Sequence, residues 1–311
     1  MDVVWDMETG DPDDFLTLLL LLGHPGVRLK AVTLTPGSAD QVAIVRWALA
    51  QFGVDIPLGA GQDPAALERQ DVRQHGAPKP RVSPWHWTTY TPERRDHEAA
   101  PAVDVLGQSL GPDTMLVTGG PLKNLGALLA TPEVQAKTPD LGRWVAQGGF
   151  AGEGVVPPDR QLDQFKGLVT CPTYNLNGAP KHALRALAYG GFRDRRFVSK
   201  NVCHGVFYDA ALHAVFQRRV AEDDYPLERT RLAHRLIVQG MSAYLARSPE
   251  GKKFHDPLAA CCALEPDIGE WAEVELYREK GAWGARLAPG SGTRIITGYR
   301  PERFVEVLTA R

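Results

Sequence analysis

One stretch constrains the fold more than any other: Val3 to Leu22, VVWDMETGDPDDFLTLLLLL. Its opening apolar run, Val3-Val4-Trp5, predicts a buried strand. Asp6, Glu8, Asp11, Asp13 and Asp14 follow closely, and Gly10 and Pro12 force a turn among them. Phe15 to Leu22 then predicts a helix, ended by Gly23 and Pro25. Acids at a helix N-terminus suit the helix dipole, but capping takes only one or two. Carboxylates crowded this closely repel unless a cation neutralises them, and hard cations such as Ca²⁺ or Mg²⁺ take oxygen ligands. The competing reading is a solvated acidic turn.

The pattern continues as alternating strands and helices. Val27 to Leu34 predicts a strand, Ala43 to Phe52 a helix and Ile56 to Gly59 a short strand. The first sixty residues therefore read β-α-β-α-β, which predicts an α/β fold: an open, mostly parallel sheet with helices on both faces. Further helices are expected at Ala102–Leu110, after Asn124, at Pro180–Leu187, Leu227–Leu245 and Leu258–Leu264. Further strands are expected at Met115–Thr118, Trp144–Ala146 and Arg196–Val198. From Trp271 onward the alternation predicts a small antiparallel C-terminal part. No linker, repeat or low-complexity segment interrupts the chain, so residues 1–311 are expected to form a single domain.

Ala60 to Ala100 lacks this periodicity. It carries Pro78, Pro80, Pro84 and Pro92, with Trp85, Trp87 and Tyr90 among them and His75 shortly before Pro78. A loop this long reads either as a lid or binding loop, or as a surface segment anchored by its aromatics.

A net charge of -2 points to neither a nucleic-acid nor a membrane partner. Cys171, Cys203, Cys261 and Cys262 form no CxxC pair, and Cys261-Cys262 on an apolar stretch reads as core packing. A reducing, cytoplasmic location follows as the expectation. Met1-Asp2 leads straight into the first strand, so no signal peptide is expected, and the leucine run is too short to span a membrane.

In an open α/β sheet, ligands bind beyond the carboxyl ends of the strands. The acid cluster, Pro36-Gly37-Ser38, Gly119-Gly120 and Gln147-Gly148-Gly149 each follow a predicted strand, so they should meet at one edge. His255-Asp256 adds an imidazole and a carboxylate at a helix N-terminus.

These segments carry a resemblance. The acidic turn, Gly119-Gly120-Pro121-Leu122-Lys123-Asn124, Gln147-Gly148-Gly149, Val202-Cys203-His204 and Phe254-His255-Asp256-Pro257 resemble, in the same order, motifs of the inosine-uridine nucleoside hydrolase family. The resemblance implies a Ca²⁺-dependent hydrolase of N-glycosidic bonds acting on a nucleoside or related N-riboside, and a homo-oligomer, dimer or tetramer. Asp14 and Asp256 match metal-chelating carboxylates, and Gly119 matches a residue that offers its backbone carbonyl to the metal. Asp13 matches the acid that binds a ribose hydroxyl. His255 occupies the place proposed for protonating the leaving base. Ser38, Thr173, Asn175 and His75 fall among the substrate contacts.

The chemistry needs these residue types. The C–N bond breaks through an oxocarbenium-like state that carboxylates stabilise. A bound metal lowers the pKa of water, a carboxylate takes the proton, and an acid helps the base depart. The chain departs from the family pattern in four places, one being a Gly-Asn pair upstream of the Glu-Phe-Asn segment that has no clear match here. Its first turn is one residue longer, and Glu8 stands where the family has the aspartate that is both metal ligand and general base, leaving Asp6 or Asp11 as alternatives. Gly37-Ser38 replaces a Gly-Asn pair. Thr173 replaces the glutamate of an Glu-Phe-Asn segment. Two other classes fit parts of the pattern: a Mg²⁺-dependent phosphohydrolase, which would need a cationic phosphate clamp, and a non-catalytic binder of nucleosides or sugars on the same scaffold.

Overall fold

The computed structural model describes residues 1–61, 71–74, 77–93, 98–222 and 224–311, with backbone alone over 71–74 and 77–80. Its strands run, in chain order, β1 (Asp2–Met7), β2 (Arg28–Leu34), β3 (Leu58–Ala60), β4 (Asp71–Gln74), β5 (Ala77–Pro80), β6 (Ala100–Pro101), β7 (Thr114–Thr118) and β8 (Arg143–Gln147). They continue as β9 (Thr170–Cys171), β10 (Asp194–Val198), β11 (Phe207–Tyr208), β12 (Lys252–Lys253), β13 (Gly269–Glu279), β14 (Ala282–Leu287) and β15 (Thr293–Tyr299).

Among the described residues one 11-stranded sheet dominates, ordered β6-β3-β2-β1-β7-β8-β10-β15-β13-β14-β9. From β6 to β15 neighbouring strands are parallel. β1 is buried on both faces: Val3, Trp5 and Met7 join one core and Val4 the other. That explains its continuous apolar run. The order also reverses at β1. The chain first builds outward through β2 and β3, then returns to place β7 on the other side of β1. Such a switch point opens a crevice at the carboxyl ends of the two strands, and the acid turn begins there.

The helix Pro12–Gly23 is buried at every residue, which fits a segment apolar all round. It packs against the helices Glu228–Leu245 and His255–Leu264. Close approach to the former requires Gly23, where a Cβ would lie 2.2 Å from the Ala233 side chain. Cys261 and Cys262 are fully buried in the second of these helices, as core packing predicts.

The C-terminal strands are antiparallel, but they extend the main sheet: β15 is parallel to β10, and β13, β14 and β9 add on antiparallel. The proline-rich region holds the β4–β5 hairpin and a helix, Pro84–Tyr90. Trp85 and Tyr90 anchor that helix to the core. The indole donates to the Gly240 carbonyl at 3.0 Å and the phenol to the Leu236 carbonyl at 2.9 Å. Helices at Ala210–Ala221 and Pro301–Leu308 complete the chain. Among the described residues no helix is long and apolar enough to cross a membrane.

Candidate active site

The site is built where β1 and β7 end. The Gly119 amide donates to the Asp6 carbonyl at 2.9 Å, so the two strands stay paired up to the point where both turn away. The Glu8 amide then donates to Asp14 Oδ1 at 3.2 Å, which draws the turn back over the start of the helix. Asp13 and Asp14 sit in that helix's first turn, and Asp256 sits in the first turn of His255–Leu264. Two helix N-termini therefore aim carboxylates at one place, where the dipoles favour negative charge.

Asp13, Asp14 and Asp256 are all buried, and each offers an oxygen within 4.8 Å of the others. Asp14 and Asp256 share a hydrogen bond, while Asp256 Oδ1 has no partner among the described residues. Burial pushes both carboxyls well above the usual range, and the neighbouring acids add to the shift. In this form the pair holds a proton that a cation would displace. Gly119 closes the site: a Cβ there would lie 2.3 Å from Trp5 and 2.9 Å from Asp256 Oδ1. An orphaned buried carboxylate oxygen, a proton-sharing partner and a glycine cleared above them fit a hard divalent cation.

Asp13 is held differently. Its Oδ1 accepts from Lys252 Nζ at 2.8 Å, and its Oδ2 accepts from the His255 amide at 3.2 Å. Lys252 is 7% exposed. Burial pulls its ammonium pKa down, but the charges of Asp13 and Asp11 more than offset that and leave it raised.

His255 stacks on His204 with ring centroids 4.7 Å apart, and its Nε2 is buried without a partner among the described residues. Burial, with Lys252, Lys253 and Lys200 nearby, pulls its pKa down to about 3.

A model of the inosine-uridine preferring nucleoside hydrolases matches residues 3–306. The chain belongs to that family. This nucleoside hydrolase acts on N-glycosyl compounds. It is 24% identical over 308 residues to the pyrimidine-specific ribonucleoside hydrolase RihA of Shewanella baltica (strain OS185), covering 89% of this chain and 83% of the relative. It is 24% identical over 313 residues to an uncharacterized protein of Aquifex aeolicus (strain VF5), covering 97% of this chain and 96% of that one. Its fold matches the plant nucleoside hydrolase PpNRh1 with a TM-score of 0.69 at 18% identity, over 100% of this chain and 99% of the other. It matches a purine-preferring ribonucleoside hydrolase from Gardnerella vaginalis with a TM-score of 0.67 at 17% identity, over 99% and 97%.

The nucleoside hydrolase brings together most of the residues the sequence singled out. Asp6 stands apart. It is fully buried, with Oδ1 accepting from Thr33 at 2.7 Å and Asn124 at 2.8 Å. Burial raises its pKa to about 6 against those two bonds. Glu8 lies nearer the cluster, and its Oε2 accepts from the Tyr174 hydroxyl at 3.2 Å. Asp11 occupies the N-cap position of the first helix. The Gly119 carbonyl accepts from Asn175 Nδ2 at 2.8 Å, and that amide also reaches the Gln147 carbonyl at 3.0 Å.

Ser38 caps the helix Ala39–Gln51 in a reciprocal box with Gln41. Thr173 is buried, and its Oγ1 has no partner among the described residues. His75 lies outside the described residues. Lys166 is exposed and pairs with Asp163 at 2.6 Å. Lys181 lines a cavity of about 670 Å³ with Thr35, Pro36, Lys123, Asn124 and His182, next to the side chain that steadies Asp6.

Sequence reasoning passes over Lys252 and Tyr174. Each lies far along the chain from the acid it touches. The available signals were two lysines leading into Phe254-His255-Asp256 and a hydroxyl added to an aromatic position.

Proposed function

We propose that the chain hydrolyses the N-glycosidic bond of a nucleoside or related N-riboside in a Ca²⁺-dependent reaction. The observation that carries this is the convergence of buried Asp13, Asp14 and Asp256 at the end of β1, with an Asp256 oxygen unpartnered among the described residues. Asp14, Asp256, Glu8 and the Gly119 carbonyl would hold the ion, a set of hard oxygen donors suited to Ca²⁺. Bound there, the ion supplies a lowered water pKa and an anchor for sugar hydroxyls.

The chain's own groups do the rest. Glu8 takes the proton from water, with Tyr174 fixing one of its oxygens. Asp13 accepts a sugar hydroxyl, and its charge stabilises the oxocarbenium-like centre. His255 is neutral at pH 7, because its pKa is held down to about 3. It therefore assists the departing base as an N–H donor, not as a standing imidazolium. Ser38 and Asn175 shape the sugar side by holding their loops. The four free, buried cysteines fit a reducing compartment, and we place the enzyme in the cytoplasm.

Thr173 supports a reading of the substrate. The resemblance to the family places this position near the sugar's 5′-hydroxyl, where a carboxylate would repel a 5′-phosphate. Thr173 instead offers a neutral hydroxyl with no partner among the described residues. The proposed substrate is a 5′-substituted N-riboside. The test is a chromatographic assay over nucleosides and their 5′-monophosphates, with Ca²⁺ and after chelation, for wild type and Thr173→Glu. Ca²⁺-dependent release of free base that favours the monophosphate in wild type, reversed in Thr173→Glu, is the expected result. Base release untouched by chelation sinks the metal assignment, and a wild-type preference for plain nucleosides sinks the 5′ assignment.

A further inference from the structure

Three carboxylates of equal chemistry meet at the end of β1, and something must decide which of them the metal takes. We propose that Lys252 decides it. It is a built-in counter-ion and a positioning residue, which withholds Asp13 from the metal and keeps it turned toward the sugar. The inference rests on the reading of Asp14 and Asp256 as the metal-holding pair.

The environments of the three acids differ in one respect. Asp256 keeps an oxygen without a partner among the described residues, and Asp14 is held by the Glu8 amide at 3.2 Å and by a hydrogen bond with Asp256, so neither is held by a cation. Asp13 has both oxygens engaged, Oδ1 by the Lys252 ammonium at 2.8 Å and Oδ2 by the His255 amide at 3.2 Å. A charge-assisted bond of this kind is among the stronger ones, and breaking it inside a buried site strands a charge.

Lys252 is fixed in place. It lies on β12, paired through Tyr208 with β11. Its Nζ also donates to the Lys253 carbonyl at 2.8 Å. Gly251, just before it, has φ +95°, and a Cβ there would lie 2.7 Å from the Tyr208 carbonyl oxygen. The turn that delivers the ammonium therefore needs glycine. A divalent ion offsets two of the negative charges around it. Lys252 offsets Asp13 separately, so the metal can settle on Asp14 and Asp256 without recruiting the third acid.

The test is Ca²⁺ titration calorimetry on chelator-treated wild type, Lys252→Met and Lys252→Arg, alongside kcat and KM on p-nitrophenyl riboside. Removing a cation from the cluster should tighten Ca²⁺ binding by about tenfold or more in Lys252→Met. Freeing Asp13 from its position should lower kcat/KM on the order of 10²-fold in the same variant. Lys252→Arg keeps the charge and should bind Ca²⁺ within about threefold of wild type. Equal Ca²⁺ affinities in folded Lys252→Met and wild type, or weaker binding in Lys252→Met, overturn the proposal.

If Lys252→Met fails to fold, the paired variant Asp13→Asn with Lys252→Met removes both charges together. It should fold and bind Ca²⁺ as wild type does while losing turnover. Loss of Ca²⁺ binding there would make Asp13 a ligand and overturn the inference. No Ca²⁺ binding by wild type itself would bring down the functional reading first. A failure confined to the Lys252 variants leaves that reading standing.

Discussion

The carboxylates and the neutral polar residues around them share one edge of the sheet, yet they are held in opposite ways. Asp256 keeps a buried oxygen without a partner among the described residues, and burial raises the pKa of Asp14 and Asp256. The Ser38 hydroxyl and the Asn175 Nδ2 are spent inside the protein, on a helix cap and on two loop carbonyls. Unmet hydrogen-bonding capacity in a buried site is costly, so it marks where a ligand contributes. Satisfied capacity on a neutral side chain marks scaffolding. On this distinction Thr173, the buried hydroxyl without a partner, sorts with the acids.

The largest effect should come from the unsatisfied side. Asp14→Ala or Asp256→Ala is expected to abolish Ca²⁺ binding by calorimetry and to remove the rise in Tm that Ca²⁺ gives wild type. A ligand at about 100 times its Kd adds roughly 2.7 kcal/mol to folding stability, and these variants should forfeit all of it. Unchanged Ca²⁺ binding in both would break the comparison at its root.

Next comes the choice of base. Glu8→Gln is expected to keep the fold and most of the metal affinity while turnover falls by roughly 10²–10⁴-fold. Asp6→Asn should act through stability, because Asp6 bonds Thr33 and Asn124 and lies outside the three-acid group. Turnover lost in Asp6→Asn but kept in Glu8→Gln would move the base to Asp6.

The raised carboxyls also set a pH dependence. A folded acid with a raised pKa binds its proton more tightly than the unfolded chain does, so stability rises as pH falls through the folded pKa. For Asp6 that gain accrues between about 6 and the ordinary value of 3.8. Burial raises Asp14 and Asp256 in the same direction, so they add to the gain as pH falls. The histidines work the other way. Burial pulls His86 and His234 down to about 4, so below the ordinary 6.5 the unfolded chain takes up protons that the folded chain does not. The two effects oppose each other over the same pH range, so the carboxyl effect is read as a difference between wild type and Asp256→Asn. Urea melts of chelated protein should show wild type gaining stability relative to Asp256→Asn as pH falls, a gain that Ca²⁺ removes. An equal slope in Asp256→Asn would mean the protons sit elsewhere.

Local signals in the sequence reached far. The apolar run of β1, the acids behind it and the buried leucine helix were legible because each has its own periodicity and punctuation. The convergence at the sheet edge was legible because parallel strands end on one side. What was not legible depends on pairings across long separations. Nothing local says that Lys252 meets Asp13, or that Tyr174 meets Glu8. The aromatics Trp85 and Tyr90 gave no sign of anchoring to the distant Gly240 and Leu236 carbonyls. Gly240 holds that contact open, since a Cβ would lie 2.2 Å from the Tyr90 hydroxyl. Ser38 reads in the sequence as a substrate contact, and the structure gives it a helix cap, a role that suits a serine after a strand equally well.

The smallest effect tests that last ambiguity. Ser38 Oγ accepts from the Gln41 amide at 3.4 Å, and Gln41 Oε1 accepts from the Ser38 and Gly37 amides, each at 3.0 Å. Gln41 Nε2 then reaches the Thr35 carbonyl at 3.2 Å, so the cap braces the whole turn after β2. Ser38→Ala leaves Gln41 in place and removes one side of the box, which should cost about 1 kcal/mol. In a chain of this size that is a drop of a few degrees in Tm. If Ser38 is scaffolding, KM for the riboside stays where it was. A sugar hydrogen bond lost with the hydroxyl would instead raise KM by roughly fivefold at little cost in Tm. Parallel melts and Michaelis curves for this one variant thus decide which side of the comparison Ser38 belongs to. A KM effect without a stability effect would show that a group satisfied inside the protein can still be a substrate contact.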